Sequence, residues 1–189
     1  MEARLPVVHP WDMIPGMSDS TDGNALCRSC GLCCTGHLFI WVKLRPAELD
    51  PAEALGMKVF RSEPNQRGFS QPCPVWKSEC TIYNSPRYPH ACRTYRCSLL
   101  KAVAAEGVSL PEALTIVQDA KQMIRQVELL LASSSTAGTS PNPNFRERLV
   151  AELEGGTADP ELRAKARALL DFYETIFGVT DLVDHVEEE

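Results

Sequence analysis

Apolar residues recur at helical spacing in the segment between Leu110 and Leu131. Five of them would share one face of a helix: Leu114, Val117, Ile124, Val127 and Leu131. Ser109 and Glu112 stand at the start of this segment with the S-x-x-E spacing of a capping box. The pattern predicts a long amphipathic helix over residues 110–131.

Two more helices are predicted further along the chain. Phe145 to Leu153 has the pattern of a short helix, and Asp159 to Phe177 that of a longer one, with Asp159 as N-cap and Pro160 in the first helical position. Before them, residues 132–144 form a low-complexity run of Ser, Thr, Gly and Pro, which favours a flexible linker. The last residues, 181–189, are predicted to be a solvated acidic tail.

The first half of the chain is less regular. Its opening residues, Met1 to Asn24, are rich in Pro, Asp and Ser and predict an irregular arm. The apolar run His37 to Val42 predicts a buried strand, and Pro46 to Leu55 a short helix that Gly56 ends. Prolines then punctuate the chain around Cys73, so only short strands are expected there, such as Cys80 to Tyr83.

Together these elements predict an α+β protein, in which a small irregular cysteine-rich metal-binding module with short strands precedes a helical C-terminal extension. We expect an N-terminal arm at residues 1–23 and a metal-binding domain at 24–101. A helical extension at 102–178, with its linker near 132–144, and an acidic tail at 179–189 complete the predicted organisation.

The chemistry of the sequence is concentrated in its eight cysteines. The first four follow the pattern C-x2-C-x2-C-C and the others are more widely spaced: Cys27, Cys30, Cys33, Cys34, Cys73, Cys80, Cys92 and Cys97. Residues 1–16 have no apolar stretch of signal-peptide length, and no later run could cross a bilayer, so we expect a cytoplasmic protein without a membrane partner. Cytosolic thiols are kept reduced, which favours metal binding over disulfides.

Charge divides unevenly between the cysteine window and the rest of the chain. Residues 27–101 hold 11 Lys and Arg against 5 Asp and Glu, whereas the remainder holds 8 against 20. A basic module can bind nucleic acid, but eight metal-bound thiolates would add eight negative charges, which the basic excess would largely offset. Because the chain has no Lys or Arg tract, we expect charge compensation and not nucleic-acid binding.

Thiolates are soft ligands that suit zinc, cuprous copper and iron–sulfur clusters. Two cysteines separated by two residues can bind one ion through a tight turn, and Gly31 would permit positive φ in such a turn. The run Cys27, Cys30, Cys33 also matches the first three ligands of a bacterial ferredoxin, without its fourth cysteine and proline. Eight thiolates could form two tetrahedral sites, two four-cysteine clusters, or one cluster with thiols left over, and Cys33 and Cys34 could serve different sites.

The same residues resemble a known family, the YkgJ-like cysteine-cluster proteins with a zinc- or iron-chelating domain. The resemblance covers about Cys27 to Cys97, and its motifs are C-x2-C-G-x-C-C, Cys73-Pro74, the C-x-I-Y at residues 80–83, and Cys92-Arg93. The family commonly continues from C-x-I-Y to R-P-x-x-C-R, and residues 87–93 (RYPHACR) are similar with one residue inserted. The resemblance implies that all eight cysteines are candidate ligands of an iron–sulfur or zinc centre.

Other side chains near the cysteines have less distinctive roles. Arg93 and Arg96 are predicted to interact with the cofactor, by hydrogen bonds to thiolate sulfur or by pairing with a bound anion. His37 and His90 could bind the same metals, although eight thiols already suffice. For the tyrosines among the cysteines we expect packing roles: Tyr83, Tyr88 and Tyr95.

Two functions from different classes follow from the sequence. The first is an iron–sulfur protein with an electron-transfer or redox role, carrying for example a 4Fe–4S cluster and acting with an unidentified protein redox partner. The alternative is a zinc-stabilised module that binds a protein partner without catalysis. The chain has no G-x-S-x-G, Walker A or dinucleotide-binding pattern, and the sequence assigns no catalytic residue or substrate.

Overall fold

The computed structural model describes residues 21–62, 66–133, 144–154 and 159–180. Most of the predicted arm, the centre of the predicted linker and the acidic tail lie outside these ranges. Within them the chain forms seven α-helices and one three-stranded antiparallel sheet, which confirms the predicted α+β class. Among the described helices, none combines the length and the apolar character that a membrane span requires.

The first helix and all three strands lie in the part of the chain before residue 71. Helix α1 spans Thr21–Cys30, and the strands are β1 Trp41–Lys43, β2 Lys58–Arg61 and β3 Arg67–Ser70, in the order β1-β3-β2. Phe69 in β3 is opposite Val42 of β1 and Val59 of β2, and it is 1% exposed. Between β1 and β2 a 3-10 turn, Pro46–Glu48, leads into helix α2, Leu49–Glu53.

Five further helices follow the sheet. Helix α3 spans His90–Thr94, α4 Ser98–Ala104, α5 Leu110–Ser133, α6 Phe145–Glu154 and α7 Pro160–Phe172. A π-helical turn, Tyr173–Phe177, continues α7 and ends at Gly178, whose φ of +69° is left-handed. The three helices predicted for the second half of the chain, two long and one short, are therefore confirmed.

Helix α5 is the centre of the larger core because one of its faces is apolar along its whole length. The buried residues follow one another at intervals of three or four: Ala113, Val117, Ala120, Ile124, Val127 and Leu131. This face contacts α1, α4, α6 and α7, while a smaller core lies between the sheet and α2. The cysteine segments run between these two cores.

Several predictions for the first half are corrected by the structure. The strand expected over His37 to Val42 is shorter and shifted, since only Trp41 to Lys43 pair with β3. Cys80 to Tyr83 is not a strand; Cys80 makes an isolated bridge to Trp76, and turns follow it. The helix expected after Pro46 is confirmed and ends before Gly56, which has a φ of +82°.

Candidate metal centre

All eight cysteines line one cavity of about 90 Å³. The first four come from α1 and the turns that follow it, and the other four from the loops after β3, from α3 and from the residue before α4. A water molecule needs about 10–15 Å³ of such a volume, so the cavity has room for several atoms. Folding thus brings together the two cysteine groups, and their role as ligands stays a prediction.

The first two cysteines lie in a helix and not in the tight turn expected for them. Cys27 and Cys30 occupy the last turn of α1, where residues three apart share a face. Gly31, with φ of +79°, ends the helix in the left-handed conformation that L-residues rarely adopt. Thr35 N–H then donates to Gly31 O at 2.8 Å, and this turn carries Cys33 and Cys34.

Backbone hydrogen bonds attach the second cysteine segment to the first. Cys73 N–H donates to Cys34 O at 2.7 Å, and Cys80 N–H donates to Arg28 O at 3.1 Å. Within the second segment, Trp76 N–H donates to Cys73 O at 3.2 Å. These bonds hold a proline-rich segment beside α1, although it has little regular structure of its own.

Backbone N–H groups also point at sulfur atoms. Leu100 N–H, in the first turn of α4, donates to Cys97 Sγ at 3.4 Å, so Cys97 caps this helix. Backbone N–H groups two or three residues downstream similarly favour the ionised forms of three other cysteines: Cys30, Cys73 and Cys80. Hydrogen bonds of this kind stabilise thiolate sulfur and tune the potential of a centre bound to it.

Burial makes the free thiols hard to ionise. It raises the pKa of Cys27 to about 11 and the pKa values of Cys92 and Cys97 to about 12. It also raises the pKa of Cys33 and Cys34 well above the ordinary value, and repulsion from neighbouring sulfurs adds to this. A bound cation favours the ionised thiols instead, because it attracts the thiolates that otherwise repel one another.

Repulsion from nearby sulfurs differs between the adjacent residues Cys33 and Cys34. Besides burial, Cys30 and then Cys97 contribute most to the raised pKa of Cys33. Burial is also the main cause of the raised pKa of Cys34. The next largest contributions come from the sulfurs of Cys73, Cys92 and Cys80, in that order. Cys33 and Cys34 therefore differ in the sulfurs that raise their pKa values most, although Cys34 also raises the pKa of Cys33.

Arg93 and Arg96 lie close to the cysteines without lining the cavity. The Arg93 guanidinium stacks over the ring of Tyr88, 5.4 Å from its centroid, and donates to Ser85 O. Arg96 donates to the Arg93 and Tyr95 carbonyls, and its charge lowers the pKa of Cys27 against the opposing effect of burial. A direct contact of either arginine with a cofactor stays a prediction.

Two of the three tyrosines belong to the cavity wall. Tyr88 lines the cavity beside Cys27 and donates its one hydroxyl proton to Cys92 O at 3.1 Å. Tyr95 also lines the cavity and is 38% exposed, so it reaches from the cavity to the protein surface. Tyr83 instead donates to Asn24 Oδ1 at 2.8 Å.

Both candidate histidines are engaged elsewhere. His37 Nδ1 lies 2.7 Å from Thr35 Oγ1 and its Nε2 lies 3.3 Å from Glu128 Oε1, which links the first cysteine turn to α5. His90 Nε2 lies 2.6 Å from the Arg45 guanidinium. Neither imidazole is among the groups that line the cavity.

The apolar part of the cavity wall was not foreseen from the sequence. Val117 of α5 and Phe177 of the π-helical turn both line it, far along the chain from the cysteines. The periodicity of α5 placed Val117 on a buried face, but no sequence pattern connects Phe177 with the cysteines. The C-terminal helices thus contribute to the site itself.

The eight thiols have the chemistry of a metal centre. They line a cavity, however, and do not yet stand at coordination distance from one common position. Among the described residues, no three His, Cys, Asp or Glu side chains already have the arrangement of an ion site. Protonated thiols attract one another only weakly, whereas a cation would draw them together by rotation of their short side chains. Eight soft donors, with backbone N–H groups aimed at several of them, provide the chemistry that zinc and iron centres need.

Comparison with protein families agrees with this chemistry. The family model CxxCxxCC, described as "Putative zinc- or iron-chelating domain", matches residues 26–123, more than half of the chain. The match continues past Cys97 into α5, which the resemblance seen in the sequence did not include. No curated protein and no solved structure matches the chain. Both the cysteine pattern and the extent of the match show that this chain belongs to the CxxCxxCC family of zinc- or iron-chelating domains.

Proposed function

We propose that this protein is an iron–sulfur protein with an electron-transfer or redox role, and that its eight cysteines are the ligands. The observation that carries the proposal is the single cavity lined by all eight thiols, three of which form the ferredoxin-like run Cys27, Cys30, Cys33. The volume of the cavity, about 90 Å³, supports a centre of several atoms in addition to single ions.

The surroundings of the thiols favour redox tuning. Backbone N–H groups donate toward sulfur, Arg96 brings a positive charge near Cys27, and apolar side chains such as Leu99 and Phe177 limit contact with water. Hydrogen bonds to sulfur, nearby charge and solvent exposure are the levers by which proteins set cluster potentials. Each of them is present around this cavity.

We further propose that a protein redox partner binds near Tyr95. This residue contacts both the cavity and solvent, and its neighbours Arg93 and Thr94 are exposed. The local surplus of basic residues favours an acidic partner surface. Electrons would thus enter or leave where the distance between cavity and solvent is short.

The deciding experiment is the metal and acid-labile sulfide content of protein purified without oxygen, together with its visible and electron paramagnetic resonance spectra. We expect iron with a matching amount of sulfide, and a visible absorption that bleaches on reduction. Zinc without sulfide would overturn the proposal and favour the alternative, a zinc-stabilised protein-binding module in which the metal orders the proline-rich segment.

A further inference from the structure

We infer that the eight cysteines form two separate four-thiolate sites, divided between the adjacent residues Cys33 and Cys34. The first site comprises Cys27, Cys30, Cys33 and Cys97. The second comprises Cys34, Cys73, Cys80 and Cys92. The inference rests on the proposed function only in that the cysteines bind a soft metal centre, and it holds for zinc and for iron–sulfur clusters alike.

The first site lies on the helical core. Its four cysteines are the four of the eight that pack against the buried cluster formed by α1, α4, α5 and the C-terminal helices. Cys27 and Cys30 lie in the last turn of α1, and Cys97 caps α4, which contacts α1 directly. Contact between two helix ends therefore brings the remote Cys97 to the C-x2-C-x2-C run.

The second site lies on the sheet side of the cavity. Cys73 packs against the smaller core, which includes Phe69 and Met57. The 2.7 Å hydrogen bond from Cys73 N–H to Cys34 O attaches this segment to the residue just after Cys33. Cys80, in a turn, and Cys92, in α3, are the two cysteines that remain, and we assign them to this second site.

Each site has the ligand set of a complete centre. Four thiolates bind a tetrahedral zinc ion or a four-iron, four-sulfur cluster. The first site combines a C-x2-C-x2-C run with one distant cysteine and so has the ligand spacing of a ferredoxin cluster. The second draws its ligands from the segment with the least regular structure, where a bound centre would supply the order that helices and strands do not.

The adjacent cysteines offer a matched pair of variants for the test. In full-length protein purified without oxygen, Cys33→Ala and Cys34→Ala should each lose about half of the bound metal. Cys33→Ala combined with Cys97→Ala should lose no more than Cys33→Ala alone, whereas Cys33→Ala combined with Cys34→Ala should lose all of it. The control Ser29→Ala, at an exposed position in α1, should keep the full content.

A single shared centre predicts the opposite pattern. Loss of all metal in either single variant would overturn the inference, as would a larger loss in the pair Cys33 and Cys97 than in Cys33 alone. The wild-type protein provides a second test that needs no variant to fold. When a chelator is limiting, alkylation followed by peptide mapping should label the cysteines in two groups of four, with Cys33 and Cys34 in different groups, and a single common rate would contradict two sites.

The same measurements separate this inference from the proposed function. Half losses of zinc without sulfide would support two sites and refute the iron–sulfur proposal. Complete loss of iron and sulfide in each single variant would support an iron–sulfur protein and refute two sites.

Discussion

The indole ring of Trp76 lies directly against the α-carbon of Gly31, in the space that a larger side chain at position 31 would occupy. Gly31 ends the helix that carries Cys27 and Cys30, and Trp76 follows Cys73 in the second cysteine segment. The contact therefore joins the two segments at the cavity, where both residues have a backbone role: Gly31 in a left-handed turn and Trp76 in the bridge to Cys80.

Gly31→Ala should destabilise the protein strongly and reduce its metal content. The added methyl would overlap the indole, and overpacking costs about 1–3 kcal/mol. The positive φ adds about 1–2 kcal/mol for an L-residue. Denaturant unfolding and metal analysis measure the two effects.

Gly56→Ala is the matched control for this prediction. Gly56 has nearly the same φ, +82°, but no atom lies within 4 Å of the position of an added Cβ. Its replacement should lower the free energy of unfolding by only about 1–2 kcal/mol, the cost of the positive φ, and leave the metal content unchanged. Equal effects at both positions would show that the Trp76 contact has no importance.

Protein stripped of metal should lose stability as the pH rises above about 9. The pKa of Cys27 is raised to about 11 and those of Cys92 and Cys97 to about 12, whereas thiols of the unfolded chain keep the ordinary value of 9.0. Below pH 9 the thiols are protonated in both the folded and the unfolded chain. Above it the unfolded chain releases these protons first, binds fewer protons than the folded chain, and the free energy of unfolding falls with pH.

Urea unfolding of the metal-free protein across this pH range tests the prediction. The unfolding midpoint should be constant through the neutral range and fall beyond pH 9, while metal-loaded protein, whose thiolates are already ionised, should show a smaller fall. A midpoint that rises with pH would mean that the thiols are more acidic in the folded state.

Tyr88→Phe should lower the reduction potential of an iron–sulfur centre bound in the cavity. The Tyr88 hydroxyl lies beside Cys27, and if it donates its proton to an ionised Cys27 sulfur instead of to Cys92 O, the bond stabilises the more negative, reduced state. A net loss of about 0.5–1.5 kcal/mol corresponds to about 20–60 mV for one electron. A spectroscopic redox titration measures the shift.

The control for this potential is Tyr83→Phe. The Tyr83 hydroxyl donates to Asn24 and its ring lies tilted against that of Tyr88, but Tyr83 does not line the cavity. Removal of the Tyr83 hydroxyl should leave the reduction potential unchanged. An equal shift in both variants would assign the effect to general loosening and not to a hydrogen bond at sulfur.

Phe177→Ala should speed the loss of metal to a chelator as well as destabilise the fold. Phe177 is 1% exposed, packs on Tyr173 and lines the cavity. Its truncation should cost about 3–5 kcal/mol and open the cavity wall to water.

Phe172→Ala, which alters a neighbouring ring outside the cavity wall, should cost less and leave the rate of metal loss unchanged. Equal rates in the two variants would contradict a role for Phe177 in closing the site.

Sequence patterns were informative where structure depends on neighbours along the chain. The periodicity of α5 and the N-cap at Asp159 each reflect contacts within a few residues, and both agree with the structure, in which Asp159 accepts a hydrogen bond from Glu161 N–H at 2.7 Å. The strand expected at Cys80 to Tyr83 was wrong because its β-type residues have no partner strand; backbone hydrogen bonds to Arg28 and Val75 hold this segment instead.

Local sequence patterns were sufficient to predict the α+β class, the C-terminal helices and a set of eight thiols whose number and spacing indicate metal. Local spacing is sufficient for these, since helix faces and cysteine runs repeat over short distances. The folded chain was needed to show that four of the cysteines pack against the helical core, that Cys97 reaches α1 through the cap of α4, and that Phe177 lines the cavity. These relationships join residues far apart in the chain, and they arise from the burial of helix faces against one another, which a single sequence does not record.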